Sequence, residues 1–262
     1  MKKNSNSLHG MIVLVTLFAS CSYSNYIPIT VNEPMLKEAG EKQGTLYLGS
    51  NHVELQGAYA VTKHFGVVGD IWKGFDKRYS VELMPGYYYS APNGFCAGFY
   101  AGAGIANTTG QHEIYSPRWL TSDLQERWTN HTRYTSLMCQ PGVGYRLKNF
   151  EIGFASRVSY VMYSRYETEY SYWFPNENTP VVTDTYKNND LTMLLFQPAF
   201  NISAGLEHVK AFCSVSMNIP VRDIRYAYRP LHPTFEYYLV SSGLKIDLMR
   251  GRKFGSRQRL VF

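Results

Sequence analysis

The chemistry open to this chain would have to be built from seven histidines, four cysteines and twenty acidic residues, and their spacing argues against catalysis. His64 and His208 fall in short polar turns, and His112, His131 and His232 in or beside longer ones. None has a serine at a spacing suited to nucleophilic attack. No HExxH, phosphate-cradling glycine loop or zinc-type Cys/His spacing occurs. The carboxylates are scattered over separate segments instead of being paired about a cleft. Cys96, Cys139 and Cys213 each lie in an alternating apolar segment and read as small wall residues. The expectation is a non-enzymatic protein without metal or cofactor.

The N-terminus carries a different kind of chemistry. Lys2 and Lys3 precede a short apolar run, Met11 to Ala19, which is the layout of a secretory signal over residues 1–20 and too short to span a membrane. Leu17-Phe18-Ala19-Ser20-Cys21 resembles the lipobox of bacterial lipoproteins, which implies that Cys21 becomes the lipidated first residue of the mature chain. The alternative is an ordinary small-residue cleavage site. Residues 22–43 contain two prolines and no sustained period, so 21–43 reads as a lipid-anchored flexible tether. At the other end, Arg250, Arg252, Lys253, Arg257 and Arg259 concentrate most of the formal charge of +6 in a basic tail, 249–262. For an exported protein that tail points to anionic lipid head groups or plain solvation, not to nucleic acid.

From Gly44 onward the pattern changes to two-residue alternation. Phe150, Ile152, Phe154, Val158 and Tyr160 point one way, while Glu151, Gly153, Arg157 and Ser159 point the other. Leu194, Phe196, Phe200 and Ile202 oppose Gln197, Asn201 and Ser203, and Val209, Ala211 and Val215 oppose Lys210, Ser214 and Ser216. About ten strands are expected, near 44–50, 53–62, 65–73, 79–90, 94–109, 127–147, 150–168, 186–207, 209–219 and 235–248, with eight as the alternative count. Tight turns near 62–64, 91–93, 148–149 and 208 alternate with long connections at 110–126, 169–185 and 220–234. Short turns on one rim and long loops on the other predict an all-β, antiparallel transmembrane barrel over 44–248, with long extracellular hairpins. An even strand count returns both ends of the barrel to the short-turn rim. Pro85, Pro141 and Pro198 recur at similar places in successive hairpins and predict outward bulges, since proline cannot donate to a ladder.

This arrangement, with segments such as Gln56-Gly57-Ala58-Tyr59-Ala60-Val61-Thr62-Lys63-His64-Phe65-Gly66, resembles small outer-membrane barrels of the OmpA/OmpX-like type. The resemblance implies residence in the outer membrane among its lipids. It does not fix a function, because such barrels serve as adhesins, anchors and small pores. Asp70, Glu82, Glu151, Arg157, Gln197, Glu207 and Lys245 fall on the inward face and are expected to pair into a polar plug. Aromatics at loop height, above all Trp119, Trp173 and Phe174, are candidates for contact with an extracellular protein or glycan. The functional expectation is a surface protein acting by contact. The alternatives are a narrow pore, a lipid-modifying enzyme, and a soluble lipocalin-like barrel with its apolar faces turned inward.

Overall fold

In the computed structural model the described residues are 26–48, 52–115, 125–173, 182–222 and 238–248, apart from Pro28, Asn32 and Asp76. The side chains at several strand ends, among them 111–115 and 172–173, are not part of the description. The predicted signal, Cys21, the basic tail, Trp119 and Phe174 lie outside the described residues, and of Trp173 only the backbone lies within them.

Alternation decides the architecture. The strands are β1 (Lys42–Leu48), β2 (His52–Ala60), β3 (Phe65–Gly74), β4 (Tyr79–Ser90), β5 (Phe95–Tyr115), β6 (Gln125–Arg146), β7 (Phe150–Trp173), β8 (Val182–Asn188), β9 (Thr192–Gly205), β10 (Val209–Met217), β11 (Ile219–Arg222) and β12 (Tyr238–Leu248). Every pairing is antiparallel. Sequential neighbours pair from β1 to β7, then β7 pairs β9, β9 pairs β10, β10 pairs β12, and β12 returns to β1. The result is a closed ten-strand barrel without a free edge. β8 continues the line of β9 upward along β7, and β11 continues β10 along β9. Ten strands agree with the count that the two-residue period gives.

The two faces are sorted by polarity in the reverse of a soluble barrel. Outward positions carry Leu48, Leu83, Phe99, Ile105, Leu137, Phe154 and Phe200, several of them more than half exposed. Inward positions carry Gln43, Thr45, Glu54, Gln56, Asp70, Glu82, Gln140 and Arg157, all buried. A lipocalin-like barrel is expected to turn its apolar faces inward instead.

Two expectations need correction. First, the ladder contains no extra residue at any of the three prolines. Pro85 pairs with Val67 and Pro198 with Ser156 in unbroken register, and Pro141 pairs with Phe99. Each proline forfeits a hydrogen bond to one neighbour only, so the other ladder holds the register and no bulge is required. The register shifts fall elsewhere, at Arg133/Tyr134 and at Pro220/Arg222.

Second, the stretch read as a tether is inside the barrel. Tyr26, Ile27, Ile29, Thr30, Val31, Glu33, Met35 and Leu36 are each at most 3% exposed. The wall makes room for them by omitting side chains. A Cβ on Gly98 or Gly142 would meet the Glu33 carboxyl, and one on Gly144 or Gly153 would meet the Met35 methyl. This segment lacks periodicity because it packs against side chains from many strands, not against one repeating surface.

Candidate functional site

The lumen is organised around this N-terminal segment in three levels. Nearest the tight turns, Arg146 bridges Glu41 of the segment to Glu151 at 3.0 Å and Asp247 at 3.2 Å. Lys210 reaches Glu151 at 3.1 Å and Asp247 at 2.7 Å, and Lys245 reaches Glu151 at 2.6 Å. Three cations thus face three carboxylates, all nearly fully buried. Arg146 also donates to the Met35 carbonyl at 2.7 Å, and the Gln43 amide donates to the same oxygen at 3.2 Å. Charges drawn from β6, β7, β10 and β12 therefore fasten the segment to the wall where the barrel closes. Such groups are tolerable in a dry interior only when paired this fully.

At mid-height, Arg157 donates to Glu82 at 2.9 Å and to Gln140 at 3.0 Å. Glu54 accepts both the backbone N–H and the hydroxyl of Thr30, each at 3.1 Å. Asp70 is the cross-strand partner of Glu82 and of Gln56. At the upper end the contacts become aromatic and aliphatic. Tyr26, Ile27 and Ile29 join Trp72, Tyr134, Val161, Tyr163, Leu191 and Met193 in one buried cluster. Tyr26 stacks on Tyr134 with centroids 5.6 Å apart, and the Tyr134 hydroxyl accepts the Ile27 N–H at 3.0 Å. Gln197 takes the Tyr26 hydroxyl on its oxygen and donates to Asn218 at 2.6 Å.

Six of the seven inward residues expected from sequence, Asp70, Glu82, Glu151, Arg157, Gln197 and Lys245, are buried in this lumen. Glu207 is not. It sits in the β9–β10 turn beside Lys148 at 3.2 Å, where the hydrogen bond from that lysine holds its carboxyl below the usual value. The strand ends before residue 207, so alternation no longer governs where that side chain points. Sequence reasoning missed Glu33, Glu41, Glu54, Arg146 and Asp247. Glu54 and Asp247 follow the inward phase of their strands, whereas Glu33 and Glu41 belong to the segment read as a tether.

Outside, the apolar positions form a belt. It runs from Phe95 to Ile105 on β5, from Leu137 to Tyr145 on β6, from Ile152 to Met162 on β7 and from Leu194 to Ile202 on β9. Tyr59, Phe65, Tyr87, Tyr89, Phe95 and Tyr145 ring its lower margin by the tight turns. Above the belt the same faces turn polar, with Asn107 on β5, Thr135 and Arg133 on β6 and Thr192 on β9. There the register shift at Arg133/Tyr134 exposes both Ser164 and Arg165. Arg133, Arg165 and Lys187 share a surface hollow of about 510 Å³ with Glu167, which Arg165 and Lys187 both contact.

β5, β6 and β7 are 21, 22 and 24 residues long, against 7 to 12 for β1 to β4, so one side of the barrel stands well above the other. On that raised wall Trp128 packs on Tyr170 at 4.2 Å. Among the described residues no group of three His, Cys, Asp or Glu is arranged to hold a metal ion. His131 contacts Thr109 at 3.3 Å, and His64 stacks on Tyr87. No protein-family model and no curated protein matches this chain.

Proposed function

We propose that the protein is a membrane-embedded barrel of the outer-membrane kind, closed by its own N-terminal segment and acting through the surface its raised hairpins present. The observation that carries this reading is the outward apolar belt. Nine to eleven residues per strand on β5, β6, β7 and β9 match the roughly 9–11 tilted residues that cross a hydrocarbon core. A soluble protein rarely leaves so large a contiguous apolar surface in water. The aromatic ring below and the cations Arg133, Arg165 and Lys187 above suit the two head-group levels. The resemblance to OmpA/OmpX-like barrels, the exported N-terminus and lipidation at Cys21 belong to the same proposal.

Function then rests with the hairpins, because the lumen is occupied by the buried stretch from Tyr26 to Leu36. Trp128 and Tyr170 supply an aromatic surface for an extracellular protein or glycan, and Trp119, Trp173 and Phe174, which are near them in sequence, are part of the same proposal. The pore reading loses support from the same packing. A void between Glu33, Met35 and Lys245 measures about 10 Å³, the room of a single water.

Purified protein in planar bilayers tests both halves of this reading. The intact chain is expected to insert and stay electrically silent, to resist alkaline extraction, and to migrate faster on gels before boiling than after. A chain lacking residues 26–39 is expected to insert and conduct. Steady conductance from the intact chain would replace the closed barrel with a pore, and release by alkaline wash would end the membrane reading.

A further inference from the structure

The direction in which the N-terminal segment crosses the lumen fixes the side from which it leaves. At the tight-turn rim the Gly40 N–H donates to the Ala60 carbonyl at 2.7 Å, and Glu41 is clamped by Arg146. Reading back toward the N-terminus, Leu36 lies against Gly66 and Glu33 against Gly98 and Gly142. Val31 clusters with Ala155 and Ala199, and Thr30 meets Glu54 and Ser241. Tyr26 and Ile27 end among Trp72, Val161 and Tyr163. On β7 alone the partners climb from Gly153 through Ala155 to Val161 and Tyr163, always away from the tight turn at 147–149. Trp72 lies two residues from the upper end of β3. Tyr26 therefore stands at the opposite end of the lumen from Lys42.

We infer that the chain upstream of Tyr26 leaves the barrel on the long-hairpin side, so that the N-terminus and any lipid carried at Cys21 face outward with the hairpins. This rests on the membrane reading above and adds a sidedness to it. β1 begins and β12 ends at the tight-turn rim, which by itself would put the N-terminus on that side. The luminal segment reverses that placement. Cys21 precedes Tyr26 by five residues, a reach of at most about 18 Å of extended chain, whereas the buried stretch from Tyr26 to Leu36 spans the lumen between them and the tight-turn rim. An acyl group at Cys21 would thus enter the leaflet nearest the hairpins.

An assembly order follows. With Ile29, Val31 and Leu36 at most 1% exposed, the lumen has no room to draw a lipid through after closure. The segment has to be enclosed as β12 pairs with β1, and the barrel itself carries its N-terminus across.

Two tagged versions of the full chain test the sidedness, one with a short epitope between Ser24 and Asn25 and one with it between Lys148 and Asn149 in the tight turn. On intact cells an antibody should decorate the first at least tenfold more than the second, and permeabilisation should equalise them. If the Ser24 tag also needs permeabilisation while the gel shift is retained, the inferred sidedness is wrong. If neither version stays with the membrane, the membrane reading itself has failed. Should the insertion unfold the barrel, Ser24→Cys probed with a membrane-impermeant maleimide reads the same side, with labelling of intact cells expected and its absence overturning the inference.

Discussion

The two ends of the luminal segment are held by opposite kinds of force. At its foot, Glu41 and the Met35 carbonyl enter a closed set of charges, with Arg146, Lys210 and Lys245 against Glu151 and Asp247. At its head, Tyr26, Ile27 and Ile29 are held mainly by shape, among Trp72, Tyr134, Tyr163 and Met193. Charges in a dry site are directional and mutually dependent, so the foot fixes register. Apolar contacts are graded and roughly additive, so the head contributes stability in proportion to the area it covers. The foot sits where β12 must find β1, a junction at which a one-residue slip would turn every side chain to the wrong face.

Glu151→Ala is expected to do the most damage at the foot. Glu151 accepts from Arg146, Lys210, Lys245 and Ser203, and its loss leaves three cations with only Glu41 and Asp247. Breaking a buried set in this way is expected to cost about 3–5 kcal/mol, read as a lower urea midpoint of the folded, fast-migrating band. At the head, Ile29→Val removes one methylene from a fully packed site and is expected to cost about 0.5–1.5 kcal/mol, with Ile29→Ala costing more in proportion. If Ile29→Val proved as damaging as Glu151→Ala, the division into a register-fixing foot and a graded head would be wrong.

How far the sequence reached differs between wall and lumen for a physical reason. A strand in a barrel wall sees two distinct solvents, one on each face, so alternation at positions such as Phe154 against Arg157 carries both the element and its orientation. That made ten strands and six inward polar residues legible. The luminal segment is enclosed by wall side chains on all sides, so no face of it alternates, and Pro28 and Pro34 point only to an extended linker. A signal was present nonetheless. Gly98, Gly142, Gly144 and Gly153 strip the inner faces of β5, β6 and β7 at neighbouring heights, which leaves a hollow no wall residue fills. Ile27, Ile29, Val31, Met35 and Leu36 are apolar beyond what a solvated tether requires. Read together, a hollow and an unplaced apolar stretch imply each other. The proline misreading has the opposite origin. One missing donor leaves the ladder on the other side intact, because each backbone N–H serves only one neighbour.

Glu33 belongs to neither end and gives the finest test. Its carboxyl lies in the glycine hollow, 1% of the residue exposed, and neither oxygen has a hydrogen-bond partner among the described residues. If shape is what the middle of the segment contributes, an apolar side chain of similar length should serve as well, because it removes a buried polar group without opening a cavity. Glu33→Met is therefore expected to leave the urea midpoint unchanged or raise it slightly, and to keep the bilayer silent. A fall comparable to that of Glu151→Ala would mean that Glu33 is a further member of the charge set, through Lys245 across the small void they share. The foot would then extend halfway up the lumen, and the line between register and packing would move with it.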